Sequence, residues 1–435
     1  MRRTIALLSL LALAAPASAF AHASVRATQP SYRERLQQPP RTVWVRFDQG
    51  VKALSNSIVV VSADGRVVSR TTRSGTDPRL IVTTLKTLPK GAYTVRWHAL
   101  SSDGHVVSGV WTFGVGVAAP PPTEAYGASG PTRTEHFVRW AYFVALALLV
   151  GGLGFRLLIV RGPLPPRAES RFYKLTGLGV VAVLEVGIVA FLLRAEDALQ
   201  LPFGRLLYGD LSPIASGTRF GAAFIAMTLG FAVVAALLYL AWLLERRVLL
   251  TLAFVVAIGF ASGLSLSGHS AADAGSSWKS ELADWVHLSA ACLWLGGLVQ
   301  LALVVWPLAP ELRREAFLRY ARLAPVLIAL LVAAGLYLSI LRLPQLSDLW
   351  TESYGQVLLV KLALVSIALA WGGVHHKFAV PLVERGHPIV GKLSRSLLGE
   401  ASVGMAVLLA AAVLVDSKPP PQPVPKPAEA VTVSP

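Results

Sequence analysis

At 435 residues, with 54% hydrophobic and only 15% charged residues, the chain is too long and too apolar for one small soluble globule; long apolar runs of the membrane-spanning kind account for the balance. The formal net charge of +16 would raise nucleic acid as a partner for a soluble protein. Much of the excess lies in short loops between apolar runs, where Lys and Arg hold loops on the cytoplasmic side, so nucleic-acid binding is a poor reading. A single cysteine, Cys292, inside an apolar run, rules out an intrachain disulfide and a thiolate cluster and reads as a buried, inert thiol.

The chain opens with Met1-Arg2-Arg3, an apolar stretch from Ile5 to Ala15, and then small residues ending in Ala19-Phe20-Ala21. This charged, apolar, A-x-A order predicts a secretory signal peptide over residues 1–21, its apolar core too short to span a bilayer. Cleavage after Ala21 would make His22 the first mature residue. Cleavage after Ala19, through Ala17-Ser18-Ala19, would leave two more residues in front of it.

From about residue 40 to 115 the apolar period is two. Val43, Val45 and Phe47 alternate with Thr42, Trp44 and Arg46, and Ser57–Val61 leads through the turn pair Asp64-Gly65 to Val67-Val68. Further short strands are predicted at 80–85, 93–97 and 106–115, with Pro89-Lys90-Gly91 as punctuation. Strands at this spacing predict an all-β antiparallel domain, an immunoglobulin-like or Greek-key sandwich, over 22–115. Residues 116–135, rich in Pro, Gly and Ala, read as a linker, semi-extended at the three prolines 120–122.

An all-α polytopic bundle is predicted over 136–416. Its eight spans fall at about 137–159, 175–194, 219–243, 248–267, 283–306, 322–341, 356–375 and 397–415. Gly151-Gly152, Gly296-Gly297 and Gly372-Gly373 place small residues where helices can approach closely. With the β domain outside, the cytoplasmic loops carry thirteen Lys and Arg (Arg161 to Arg395) and the opposite loops three (Arg205, Lys279, Arg342). That bias and the signal peptide agree on a multi-pass protein of a bacterial cytoplasmic membrane with its β domain on the periplasmic or extracellular face. Residues 417–435 form a Pro-rich tail without a predicted structure.

Ionisable groups at membrane depth are costly and are usually paired or functional. Here they are Glu185 in the second span, Asp284 and His287 at the outer end of the fifth, Lys361 in the seventh and Glu400 in the eighth. Lys361 and Glu400 read as an ion pair between helices, and His375-His376, at the inner end of the seventh span, as a pair reaching for the inner surface beside Lys377, with an exit site as the alternative. His269, just after the fourth span, would stand on the outer side.

Residues 22–115 resemble the CopC family of periplasmic copper-binding proteins. The match lies in His22-Ala23-Ser24 running to Gln29-Pro30, in Leu88-Pro89-Lys90-Gly91-Ala92-Tyr93-Thr94-Val95-Arg96-Trp97, and in Ser102-Asp103-Gly104-His105 with Val107-Ser108-Gly109 and Phe113. Most of residues 137–415 resembles the CopD family. There the match is Asp284-Trp285-Val286-His287 with Trp294-Leu295-Gly296-Gly297-Leu298, Tyr354-Gly355 with Leu358-Leu359-Val360-Lys361-Leu362, and Leu398-Gly399-Glu400. The resemblance implies copper transport in the direction of uptake, copper homeostasis or resistance, and His22, Asp103 and His105 as ligands of Cu(II). It also implies a copper ion, the lipid bilayer and other copper-handling proteins as partners.

The chemistry of those residues fits. A freed N-terminal His offers its α-amine, with an ordinary pKa of about 7.7–8.0, and its ring nitrogen to one metal as a chelate. A second imidazole and a carboxylate complete a nitrogen–oxygen set that favours Cu(II). On a strand, Asp103 and His105 would face the same way. His98, nearby, reads as a strand-surface residue. The family's second, methionine-rich Cu(I) site does not carry over, since after the leader only Met227 and Met405 remain, both in predicted spans. His269 and His287, with Asp284, read either as the site that receives copper from the β domain or as histidines at headgroup level.

Two other classes stay open. A haem-binding electron-transfer protein would need axial ligands on facing helices, and only His287 and His269 are placed for it. A copper-dependent oxidative enzyme could use an N-terminal histidine chelate, although Asp103 would fill the position that oxygen needs. The absence of a G-x-x-x-x-G-K-[ST] loop from the sequence leaves a transport or binding protein rather than an ATP-driven pump.

Overall fold

The computed structural model describes residues 23, 25–54, 56–63, 65–101, 106–119, 133–199, 219–267, 277–387 and 393–417. The N-terminal part is all β. Its strands are β1 (Val25–Gln29), β2 (Arg35–Leu36), β3 (Thr42–Phe47), β4 (Val51–Lys52), β5 (Ile58–Ser62), β6 (Ser69–Ser74), β7 (Leu80–Leu85), β8 (Gly91–Ser101) and β9 (Val106–Val115). One sheet runs β1-β3-β7-β6; in the other, β2-β9-β8, with β4 and β5 both pairing along the far edge of β8. All pairings are antiparallel except β2 with β9.

The period-two pattern sets which face is buried. Val43, Val45 and Phe47 of β3 face Ile58 and Val60 of β5 and Tyr93, Val95 and Trp97 of β8 in one core. The Phe47 and Trp97 rings meet edge to face at 5.3 Å. β6, Ser-Arg-Thr-Thr-Arg-Ser, lies at a sheet edge, and its polar sequence hid it from the apolar pattern. It is tied inward by Thr72, whose buried hydroxyl oxygen accepts the Ile58 N–H at 2.8 Å.

Eight helices long and apolar enough to cross a membrane follow. They are α1 (Arg133–Ile159), α2 (Pro166–Leu199), α3 (Arg219–Leu244), α4 (Arg247–Ser267), α5 (Trp278–Leu308), α6 (Arg313–Arg342), α7 (Ser353–Glu384) and α8 (Leu393–Asp416). α1 and α5 are mostly buried and form the centre; the other six turn much of their surface outward. That outward surface is itself apolar, with Leu229, Val248, Val255, Leu336 and Ile340 exposed, which suits lipid as the solvent. α1 meets α5 through glycine, since a Cβ on Gly151 would collide with the Cys292 carbonyl oxygen and one on Gly296 with that of Ala147. Cys292 is buried there, as its sequence setting suggested.

Candidate functional site

β8 and β9 pair from Gly91↔Val115 to Leu100↔Val106, so the Asp-Gly-His segment is the connection between two long central strands. Asp103 and His105 lie outside the described residues, and so do His22 and His269. The frame around them is described. Ala23, next to His22, belongs to the β core. Ser101, at the end of β8, is fully buried, pairs with Val51 and accepts a hydrogen bond from the Gln49 amide at 3.3 Å.

His98 corrects the sequence reading: it is 1% exposed, not a surface residue. Simple alternation along β8 holds as far as Arg96, but from Trp97 to Ser101 every residue is buried, so both faces of the strand are covered at this end. The His98 N–H donates to the Ser57 carbonyl at the crossing from β4 to β5. Burial pushes the imidazole pKa down to about 4, because the charged form loses its hydration.

In the bundle, Asp284 and His287 lie one turn apart on α5. The His287 Nδ1 is 3.0 Å from the Leu331 carbonyl oxygen of α6, and Gly335, one turn on, leaves room for the ring: a Cβ there would lie 3.1 Å from its Cε1. Arg342 of α6 and Lys361 of α7 act electrostatically on His287, and Asp284 acts on Lys361. Three helices therefore bring a carboxylate, an imidazole and two cations to one end of the bundle. Among the described residues no three His, Cys, Asp or Glu side chains are grouped to hold a metal ion.

The expected Lys361–Glu400 pair is not formed. Glu400 instead faces His375, with Nδ1 2.8 Å from Oε2 and both residues buried. His375 is thus turned into the bundle, whereas His376 and Lys377 are exposed. Glu185 stands exposed on α2, and nothing in the described residues explains it.

The end of the bundle opposite His287 is held by arginine. Arg156 donates to the Val160 carbonyl at 2.7 Å, Arg319 to that of Ile159 at 2.9 Å, and Arg247 to those of Arg161 and Leu157, all at the end of α1. Arg313 donates to the Trp306 carbonyl at 2.6 Å and Arg314 to that of Glu384 at 3.2 Å. Four of the basic residues counted in the charge bias, Arg247, Arg313, Arg314 and Arg319, thus also satisfy carbonyls that helix ends leave without intrahelical partners, where cations are favoured.

Comparison with known proteins gives three family matches along the chain. Residues 25–116 match the CopC domain, 134–279 the copper resistance protein D-like N-terminal domain, and 314–414 copper resistance protein D. The chain is 28% identical over 446 aligned positions to the copper transport protein CutJ of Bacillus subtilis, covering 95% of this chain and 77% of that one. Protein YobA of Escherichia coli is 29% identical over 101 residues, 22% of this chain and 82% of its own. Among solved structures, CopC of Methylosinus trichosporium is 29% identical and covers 24% of this chain and all of its own, with a TM-score of 0.21.

Proposed function

Since the chain belongs to the fused CopC–CopD proteins, carrying a CopC domain and both parts of a copper resistance protein D, we propose that it captures Cu(II) outside the cytoplasmic membrane and passes copper to or through its helix bundle, in the direction of uptake. The observation that carries this reading is the union, in one polypeptide, of an all-β CopC domain with a multi-pass CopD bundle, over almost the whole length aligned with a copper transport protein. A donor domain fused to its acceptor keeps the released ion at high effective concentration for the next site.

The proposed ligands in the exterior domain are the α-amine and imidazole of His22, the carboxylate of Asp103 and the imidazole of His105. Cleavage by a leader peptidase exposes the amine, so the site exists only in the matured chain. Copper is the cargo, and the protein acts as a carrier rather than an enzyme. The positive end of the bundle, with Arg156, Arg247, Arg313, Arg314 and Arg319, faces the cytoplasm, so Asp284 and His287 open outward, where His269 would join them as the receiving site.

Cu(II) titration of the purified full-length protein, followed by electron paramagnetic resonance, tests the exterior site. His105→Ala, and a form that retains Ala21 in front of His22, should each weaken binding by about 10–100-fold or more, the scale of losing one orienting or ligating group. Near-wild-type affinity in both would overturn the ligand set.

A further inference from the structure

A second polar cluster lies far from the receiving end of the bundle and plays no part in the reading above. His375 of α7 opens a π-helical turn, 375–379, a local widening of the helix that recurs at functional positions. Its two ring nitrogens are both engaged, Nδ1 with Glu400 Oε2 at 2.8 Å and Nε2 with Ser396 Oγ at 2.7 Å. The Trp371 indole N–H donates to the same Ser396 oxygen at 3.0 Å. Trp371 and His375 are one turn apart on α7, and Ser396 and Glu400 one turn apart on α8, so two i,i+4 pairs face each other across the interface. Glu400 is 4% exposed and His375 8%. The Phe317 ring of α6 closes on the imidazole at 6.4 Å, nearly perpendicular.

Hydrogen-bond accounting fixes what this cluster can do. An indole N–H only donates, so one lone pair of Ser396 is committed. The hydroxyl keeps one hydrogen and one further lone pair. With a neutral imidazole, Nδ1–H donates to the Glu400 carboxylate, Ser396 O–H donates to Nε2, and the cluster carries one negative charge. With one more proton, Nε2–H donates to Ser396 and Nδ1–H still donates to Glu400, and the cluster is neutral overall. Both states keep the Nδ1–Glu400 and Nε2–Ser396 contacts; the hydroxyl hydrogen, given to Nε2 in the first state, turns away from it in the second. An uncompensated charge inside a membrane protein is costly, so the neutral state is the resting one and the negative state needs a cation close by.

We propose that His375, Ser396 and Glu400 form a single-proton site, which gives up its proton when a cation moves through the bundle and takes one back afterwards. The proton leaves from Nε2 through the Ser396 hydroxyl toward the α7–α8 connection, and it is replaced from water on that side. Charge then balances, with one proton released for each positive charge held beside the cluster. The other titratable neighbours are accounted for. On α6, Tyr320 donates its hydroxyl to the Trp294 carbonyl of α5 at 2.7 Å, and Arg314 donates to the Glu384 carbonyl. His376 and Lys377 of α7 and Arg395 of α8 are exposed. The link to cation movement rests on the transport reading; the proton site itself does not.

The test uses the full chain in lipid nanodiscs without copper, so it does not depend on the cargo. Infrared difference spectra recorded on raising the pH, which drives the cluster to its negative state, should contain a histidine and a carboxylate component that are both missing from His375→Gln and from Glu400→Gln. A difference spectrum unchanged in Glu400→Gln overturns the proposal. Where that variant fails to assemble, Ser396→Ala keeps the His–Glu pair and removes the switching hydroxyl. The midpoint should then move by about one pH unit, the size of one hydrogen bond, and an unmoved midpoint overturns the proposal just as surely.

Discussion

His287 and Leu331 are joined by a contact that fixes a tautomer. A carbonyl oxygen can only accept, so the His287 Nδ1, 3.0 Å from it, carries the hydrogen, and the lone pair stands on Nε2. Metal-binding histidines are commonly oriented in this way, with the second nitrogen tied to a backbone carbonyl. The contact holds the ring against α6 and makes Nε2 the nitrogen that would bind the ion in the proposed receiving site.

It follows that His287→Ala should lower cellular copper accumulation toward that of cells lacking the protein, with the chain still present in the membrane. Gly335→Ala, which leaves the imidazole in place but presses a methyl carbon to 3.1 Å from its Cε1, should give an intermediate loss. The check is copper content per cell, normalised to membrane-inserted protein. Wild-type accumulation in His287→Ala would remove this residue from the path.

How far the sequence carries depends on whether a feature is local. The alternation of Val43, Val45 and Phe47 needs only the strand period, and it gives the buried face directly. The eight apolar runs and the paired glycines are local as well. His98 was misread because its burial depends on what covers the second face of β8, which no period records. The partner of Glu400 was misread for a similar reason. Lys361 and His375 both lie on α7, fourteen residues and about 21 Å apart, and only the height and rotation of α8 decide which of them the carboxylate meets. His22, Asp103 and His105 emerge from a resemblance and from their donor chemistry, not from the apolar pattern that reveals the fold.

The buried imidazole of His98 makes the β domain sensitive to acid. Its pKa falls from an ordinary 6.5 to about 4 in the folded domain, so below pH 6.5 the unfolded chain gains a proton that the folded one resists. Stability should therefore drop as pH falls from 6.5 toward 4 and level off below, by roughly 3 kcal/mol in all. Asp77, a partly exposed carboxyl held below its usual range chiefly by the Arg79 backbone N–H, acts only at more acid pH, where its protonation removes that favourable contact. Urea unfolding of residues 22–119 across this range, compared with His98→Gln, gives the measurement. An equal acid slope in both would assign the loss to other groups.

The crossing of α1 and α5 sets the last expectation. Gly151 and Gly296 face each other across the central helices, and a Cβ on either would run into backbone, which cannot rotate aside as a side chain can. Overpacking against side chains usually costs about 1–3 kcal/mol, and here the helices themselves must separate, so Gly296→Leu should cost at least the upper end of that range. Gly177 of α2 is the contrast, because a Cβ there meets nothing within 4 Å. Gly177→Ala should be neutral, or stabilising by up to about 1 kcal/mol, through helix propensity alone. Thermal aggregation of the two variants in detergent separates the cases. If Gly296→Leu and Gly177→Ala aggregate at the same temperature as the parent, close glycine contact is not what holds the two central helices together.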